Sequence, residues 1–205
     1  MGRCCCCNCL FSCVFACICQ VLCAIIIILG VIILALWLIF RPNKVYFHIA
    51  DASLTKFDFS PTTNTLDYDL SLSVDIRNSN KRIGVYFDKI EAKTTYHRQK
   101  FANTNLESFY QDPKNTTILN PVLKGQSSVY LGDSEKSDYN DEKKSGMYRI
   151  FTVLYMRIRL KSGWITSGKI KLAAGCELKV PMKSNGGSSG TFERTNCVII
   201  PWARH

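Results

Sequence analysis

The run from Val21 to Phe40, VLCAIIIILGVIILALWLIF, constrains what the rest of the chain can be. It holds twenty residues without a charge, and a helix of that length, rising ~1.5 Å per residue, crosses a hydrocarbon core of ~30 Å. We read it as one transmembrane helix. Apolar character begins earlier, at Leu10, interrupted only by Ser12 and Gln20, whereas the far end is marked by Trp37 and then Arg41-Pro42-Asn43. Trp belongs at headgroup level, and Arg-Pro stops both span and helix. A cleaved signal peptide is the competing reading. It needs an apolar stretch of roughly 7–15 residues followed by a small-residue cleavage site, and this run is longer and ends Trp-Leu-Ile-Phe-Arg. The chain thus divides into a Cys-rich head at 1–20, the span at 21–40 and one domain of ordinary size at 41–205.

Of the 26 Lys and Arg only Arg3 precedes the span, so the later domain carries 25 against 16 Asp and Glu, a net +9. A basic domain held at a membrane points to anionic polysaccharide or phospholipid headgroups as neighbours, not to nucleic acid. Cysteine is as lopsided: nine of eleven lie within residues 4–23, and only Cys176 and Cys197 lie beyond. Cys4, Cys5, Cys6, Cys7 and Cys9, beside an apolar segment, read as S-palmitoylation sites, which places the amino end in the cytosol. Metal ligation is the alternative. Four consecutive Cys with no His nearby are too crowded for tetrahedral geometry.

Local charge opposes that orientation, since Arg41, Lys44 and Lys56 follow the span and Arg3 alone precedes it. Long domains translocate largely regardless of charge, and beside acylation of the head two further features favour an outside carboxyl domain. Asn115-Thr116-Thr117, behind the turn Asp112-Pro113-Lys114, is a glycosylation sequon. Cys176 and Cys197 form a disulfide if the compartment is oxidising, and are two core thiols if it is reducing.

The clearest periodicity runs from Thr65 to Arg77. Leu66, Tyr68, Leu70, Leu72, Val74 and Ile76 hold one parity and polar residues the other, which is a strand with one dry face. Lys44–Ala50 and Ser53–Phe59 read as shorter strands before it, and Arg82–Phe87 and Lys89–Tyr96 follow a turn at 78–81. Thr116–Leu131 adds strand, and the polar run Gly132–Gly146 reads as a mobile loop. Alternation resumes over Met147–Lys161, then Lys169–Leu172 and Cys176–Val180; 184–190 reads as a flexible connector before a last strand at Thr191–Ile200. About seven strands without an amphipathic helix predict an all-β, immunoglobulin- or fibronectin-like antiparallel sandwich after the anchor.

No catalytic or metal constellation emerges. His48, His97 and His205 are scattered, and Gly186-Gly187-Ser188-Ser189-Gly190 matches G-x-S-x-G only formally, in a Gly/Ser linker without the strand and helix a nucleophile elbow needs. We therefore expect neither enzyme activity nor a cofactor. The feature that asks for a partner is cationic. If Met147–Lys161 and Lys169–Leu172 are neighbours, Arg157, Arg159, Lys161, Lys169 and Lys171 share an outward face without an interleaved acid, an arrangement that costs stability. If the strands never meet, the same cations are an ordinary solvated surface.

The run Asn78-Ser79-Asn80-Lys81-Arg82-Ile83-Gly84-Val85-Tyr86-Phe87-Asp88 resembles plant membrane proteins related to non-race-specific disease resistance and harpin-induced proteins. Their motif reads Asn-Pro-Asn-Lys-Arg-Ile-Gly-aliphatic-Tyr-Tyr-Asp; Asn78, Asn80, Lys81, Arg82, Ile83, Gly84, Tyr86 and Asp88 match it. Ser79 stands where Pro is usual, and Phe87 where Tyr is usual. The likeness extends from the Cys-rich head to Asp51-Ala52-Ser53-Leu54-Thr55, Phe109-Tyr110-Gln111, Cys176 and Cys197. It implies a group 2 late embryogenesis abundant β-sandwich, displayed at the plasma membrane with plasmodesmata as a candidate site. The role it implies lies in defence signalling, the hypersensitive response and membrane–wall adhesion, beside other defence membrane proteins. A lipid-binding or desiccation-protective module is the alternative. Apart from any role in recognition, Ile83, Val85 and Phe87 are expected in the core, Asn78 and Asn80 in a turn, and Lys81 and Arg82 at a loop tip.

Overall fold

The computed structural model describes residues 6–40, 43–184, 187–188 and 190–200. Its contacts separate Met1–Pro42 from Asn43–His205, and each unit is described by itself. In the first, helix α1 covers Cys6–Phe40, and Phe15–Ala35 is long and apolar enough, by length and composition, to cross a membrane. The helix begins well inside the head because no Pro or Gly interrupts residues 6–29. Cys4, Cys5, Arg41 and Pro42 lie outside the described residues, as do the side chains of Cys6, Cys7 and Cys9.

The second unit runs β1 (Val45–Ser60), β2 (Thr65–Asn78), β3 (Gly84–Tyr96), β4 (Gln99–Leu106), β5 (Phe109–Gln111), β6 (Thr116–Leu119), β7 (Val122–Ser128) and helix α2 (Asp133–Ser145). It continues with β8 (Met147–Ser162), β9 (Ile165–Thr166), β10 (Ile170–Pro181), β11 (Lys183–Ser184), β12 (Gly187–Ser188), β13 (Thr195–Asn196) and β14 (Val198–Ile200). One antiparallel sheet is ordered β13-β1-β2-β6, with β7 also on β2; the other is β14-β10-β8-β3-β4, with β5 on β3 and β9 on β8. A small ribbon pairs β11 with β12.

The alternation of β2 lands as its periodicity requires: Leu66, Leu70, Leu72, Val74 and Ile76 are buried against Val85, Phe87, Ile90, Leu154 and Met156 of the opposite sheet. Burying a side chain of that size stabilises by roughly 1.5–3 kcal/mol, so this layer is what makes the two sheets one body. The sandwich closes where β1 lies against β10 and β4 against β7. At one edge the chain crosses from β13 in the first sheet to β14 in the second through Cys197, which is bonded to Cys176 of β10 at a Cα separation of 4.4 Å.

Several elements differ from the sequence reading. β4 and β5 have no counterpart in it, and Lys169–Leu172 and Cys176–Val180 merge into the one strand β10. The ribbon β11–β12 overlaps the expected connector at 184–190, and Thr191–Ile200 is strand only at β13 and β14. Two further differences have a clear physical cause. Val45–Ser60 is one strand, because β-bulges at Ile49/Asp51 and Leu54/Lys56 break its alternation without breaking its pairing to β2. The segment expected to be a mobile loop is helical over Asp133–Ser145. Its composition is that of a loop, but its ends are those of a helix: Glu135 accepts the Gly132 amide at 2.8 Å, Asp133 and Glu135 lie in the first turn, Lys143 and Lys144 in the last, and Gly146 turns out at φ 69°. Two buried side chains dock it, and Lys143 adds an exposed ion pair to Asp58 of β1 at 3.4 Å. Tyr139 is buried beside Phe57, Phe59 and Tyr148, accepting the Phe59 amide at 2.9 Å and donating to the Phe57 carbonyl at 3.2 Å. Glu142, also buried, accepts the Tyr96 hydroxyl at 2.8 Å and Arg149 Nε at 3.0 Å. Burial, reinforced by that carboxylate, holds the Tyr96 phenol protonated.

Tyr139→Ala is expected to destabilise the domain by about 3 kcal/mol, as large aromatic truncations in cores do, and Tyr139→Phe by about 1 kcal/mol through the lost hydroxyl bonds. Denaturant unfolding of the two variants, with the helical circular dichroism signal followed alongside, checks the order. Cys197→Ser is expected to cost about 3 kcal/mol under non-reducing conditions and nothing beyond the wild type once both proteins are reduced.

Candidate functional site

The turn between β2 and β3 is built from two buried carboxamides. Asn78, fully buried, donates from Nδ2 to the carbonyls of Ile83 at 2.8 Å and Asp112 at 3.1 Å, and its Oδ1 accepts the backbone N and Nδ2 of Asn80 at 3.1 and 2.8 Å. Asn80 then grips the domain's first residue: its Nδ2 donates to the Asn43 carbonyl at 3.1 Å and its Oδ1 accepts the Asn43 amide at 2.5 Å. Ser79, where the resemblance expects Pro, donates its hydroxyl to the Lys44 carbonyl at 2.7 Å. The hydroxyl thereby ties down what the missing ring would have stiffened. Lys81 and Arg82 are exposed at the turn while Ile83, Val85 and Phe87 are buried.

Beyond the turn the outward residues of β3 meet β5 and β8. A Cβ on Gly84 would stand 2.6 Å from Cζ and 2.8 Å from Cε2 of Tyr110, so only glycine lets that ring lie on the strand. Tyr110 packs on Tyr86 with ring centroids 4.5 Å apart, the Arg159 guanidinium lies 5.1 Å from the Tyr86 centroid, and Lys161 Nζ lies 5.7 and 5.5 Å from the two rings. Lys161 also donates to the Tyr86 hydroxyl at 3.3 Å. These are cation–π distances, and on a partly solvated surface each contributes modestly.

Asp88 sits at a β-bulge. Tyr86 is in register with Arg159 and Phe87 with Ile158, but Lys89, not Asp88, faces Arg157. The extra residue frees Asp88 to take Arg159 in a two-pronged bond, Nε to Oδ2 at 2.8 Å and Nη2 to Oδ1 at 2.7 Å. That bond, aided by the fields of Lys169 and Arg157, holds the Asp88 carboxyl below its ordinary range.

Of the five cations that the sequence groups together, Arg157 and Lys171 are direct register partners on β8 and β10. The expected absence of an acid does not hold, since Asp88 neutralises Arg159, and Lys161 is engaged by the tyrosines. Lys169 is exposed just ahead of β10. Lys89 was not legible: strict alternation puts it inward, and only the bulge turns it out. The result is an exposed row Lys89–Arg157–Lys171 across three adjacent strands, about 10 Å long at sheet spacing. Glu91 reaches Lys89 at 3.6 Å from one end, and among the described residues Arg157 makes no ion pair. Asn115 is exposed, its Oδ1 accepting the Thr116 amide. His48 bonds Asn196 and His97 lies in the β3–β4 turn at φ 44°, far apart in the pairing; His205, Gly186 and Ser189 lie outside the described residues.

The family model described as late embryogenesis abundant protein matches residues 73–186. NDR1/HIN1-like protein 3 of Arabidopsis thaliana is 45% identical over 174 residues, 84% of this chain and 75% of that protein. NDR1/HIN1-like protein 2 from the same plant is 44% identical over 80% of this chain and 69% of that protein. The chain belongs to the NDR1/HIN1-like late embryogenesis abundant family. A solution structure of another Arabidopsis thaliana protein covers 71% of this chain and 90% of its own at 12% identity and a TM-score of 0.35. Family membership supports a plant defence- or stress-related role, and α1 is consistent with membrane anchoring in this family. The family is not one known for enzymes.

Gly84→Ala is expected to push Tyr110 off β3 and cost about 1 kcal/mol, the value of an aromatic pair. Loss of the ring-current shifts of Tyr86 and Tyr110 in the nuclear magnetic resonance spectrum, with thermal unfolding as the second readout, checks this.

Proposed function

We propose that the chain is a non-enzymatic membrane-anchored defence protein whose β-sandwich faces the wall side of the plasma membrane and holds anionic wall polysaccharide, linking membrane to wall. The observation that carries this reading is the row Lys89–Arg157–Lys171. Like charges in register repel, so a row of exposed cations costs the sheet a little, whereas a polyuronate presents carboxylates along one edge that all three can meet. Arg159 and Lys161 frame the row with Tyr86 and Tyr110, whose rings lie tilted at 42° to one another, and aromatic rings beside charge suit a sugar ring.

The orientation rests on the Cys176–Cys197 bond, which persists in oxidising compartments, on the exposed sequon at Asn115, and on acylation of Cys4, Cys5, Cys6, Cys7 and Cys9 in the cytosol. A lipid-carrying reading has less support, because Phe47, Leu54, Phe57, Leu70 and Leu154 already fill the space between the sheets.

The test is binding of the full chain, reconstituted in nanodiscs, to polygalacturonate and to neutral galactan. Arg157→Glu with Lys171→Glu is expected to weaken polygalacturonate binding by about tenfold or more and to reduce its salt dependence, since exposed charges act over about 10 Å at moderate ionic strength. Undiminished binding by the double variant, or equal binding of galactan, overturns the reading.

A further inference from the structure

Trp164 is 93% exposed, against 69% for Tyr130 and 67% for Val198 in the same unit. It is not on a slack loop. β8 turns into β9 through Gly163-Trp164, with Lys161 paired to Thr166 and Ser162 to Ile165, and Gly163 supplies the positive φ of 58° that the tight turn needs. Ser167 fastens the base, its amide donating to the Leu160 carbonyl at 2.8 Å and its Oγ accepting the Leu160 amide at 2.9 Å. The fold thus holds an indole out in water on a braced hairpin, with Ile165 55% exposed beside it and Ile170 41% exposed where β10 begins.

The position of that hairpin says what covers it. Lys161 is in register with Gly84, so the hairpin extends from the end of the sandwich where β3 starts. The same end carries the domain's first residue, because Asn80, four residues before Gly84, is bonded to both the amide and the carbonyl of Asn43. Only Arg41 and Pro42 lie between Asn43 and Phe40, the last residue of α1, and three residue steps span at most about 11 Å. This end of the domain is therefore the one that the chain ties directly to α1. The cations there are Lys44, Lys81, Arg82 and Lys169, all exposed.

We propose that this end of the sandwich is a lipid-surface contact, in which Trp164 and Ile165 enter the headgroup layer and Lys81, Arg82 and Lys169 face lipid phosphates. Indole suits that layer, with an apolar body and one N–H that stays wet. Apolar insertion and headgroup attraction reinforce one another at such surfaces. The inference rests on anchoring by α1 and not on the wall-polymer reading, whose row Lys89–Arg157–Lys171 lies on the flank of the sheet.

The test uses the full chain carrying Trp37→Phe and Trp202→Phe, which leaves Trp164 as the one tryptophan of three. It is reconstituted in vesicles of phosphatidylcholine and phosphatidylglycerol, with and without bromine on the shallow acyl carbons. A shift of Trp164 emission to shorter wavelength, its loss in brominated vesicles, and a smaller loss when Lys81 and Lys169 are both changed to Glu are expected. Equal emission in brominated and plain vesicles, with aqueous acrylamide reaching the ring freely, overturns the proposal. So does a shifted emission that brominated lipid leaves untouched, which puts a second copy on the tip. A Trp164→Ser chain is expected to bind polygalacturonate unchanged, so the two readings fail separately.

Discussion

The carboxamide of Asn78 has no water to turn to. Buried in full, it must find every partner in protein, and an unmet buried amide costs on the order of 1–3 kcal/mol. Its solution is to take carbonyls from two segments and to hand its own oxygen to Asn80, which holds Asn43 in turn. The start of β1, the end of β2, the start of β3 and the loop at Asp112 therefore close as one knot. Gln111, buried beside them, spends both Nε2 protons on the carbonyls of Ile76 and Asn115 and leaves its Oε1 without a partner. Everything on that end inherits its position from these amides, including the turn that shows Lys81 and Arg82 and the strand that carries Tyr86 and Asp88.

From that knot the electrostatics of the outer sheet follow. The bulge at Asp88 sends two consecutive residues outward, one acid and one base, and the acid is consumed by the cation that fits it in two-pronged geometry. What remains is Lys89 next to Arg157 next to Lys171. Solvent screens such charges, so their mutual repulsion is a fraction of a kcal/mol per pair and the fold tolerates it. A row of like sign still sums its potential at the surface, and summed potential is what draws a polyanion in. The same three side chains thus bear little on stability while setting the sign of the surface potential on that face.

How far the sequence alone reached is best seen element by element. The strand Thr65–Asn78 was plain, because each parity of residues met a different medium and the pattern is the record of it. Val45–Ser60 looked like two strands because a bulge leaves the hydrogen bonds but shifts the parity. The helix at Asp133–Ser145 was invisible to periodicity, since only Tyr139 and Glu142 of its residues are buried and one of those is charged. Its signals were at the ends, in Gly132 with Glu135 and in the lysines before Gly146, and its stability comes from docking, which no local pattern reports. In the candidate site the adjacency of Arg157 and Lys171 was a fair inference from chain order. The partners contributed by β3 were not legible, because Asp88 and Lys89 owe their directions to a bulge that nothing in their own types announces.

Compartment enters the structure through Cys197. Its backbone amide donates to the Phe47 carbonyl of β1 at 2.9 Å, and its sulfur bonds Cys176 of β10. One residue thus stitches the first sheet to the second at the edge where the sandwich would otherwise open. The residues around it bring little of their own: β13 and β14 are two and three residues long, and Val198 and Ile199 stay 67% and 47% exposed. Such a segment buries too little apolar surface to offset the entropy of ordering it, so the covalent bond decides whether it is laid down. In a reducing compartment this edge would be the first part of the domain to detach, exposing the paired backbone groups of β1 and β10. An oxidising compartment closes it, because only there does the Cys176–Cys197 bond persist.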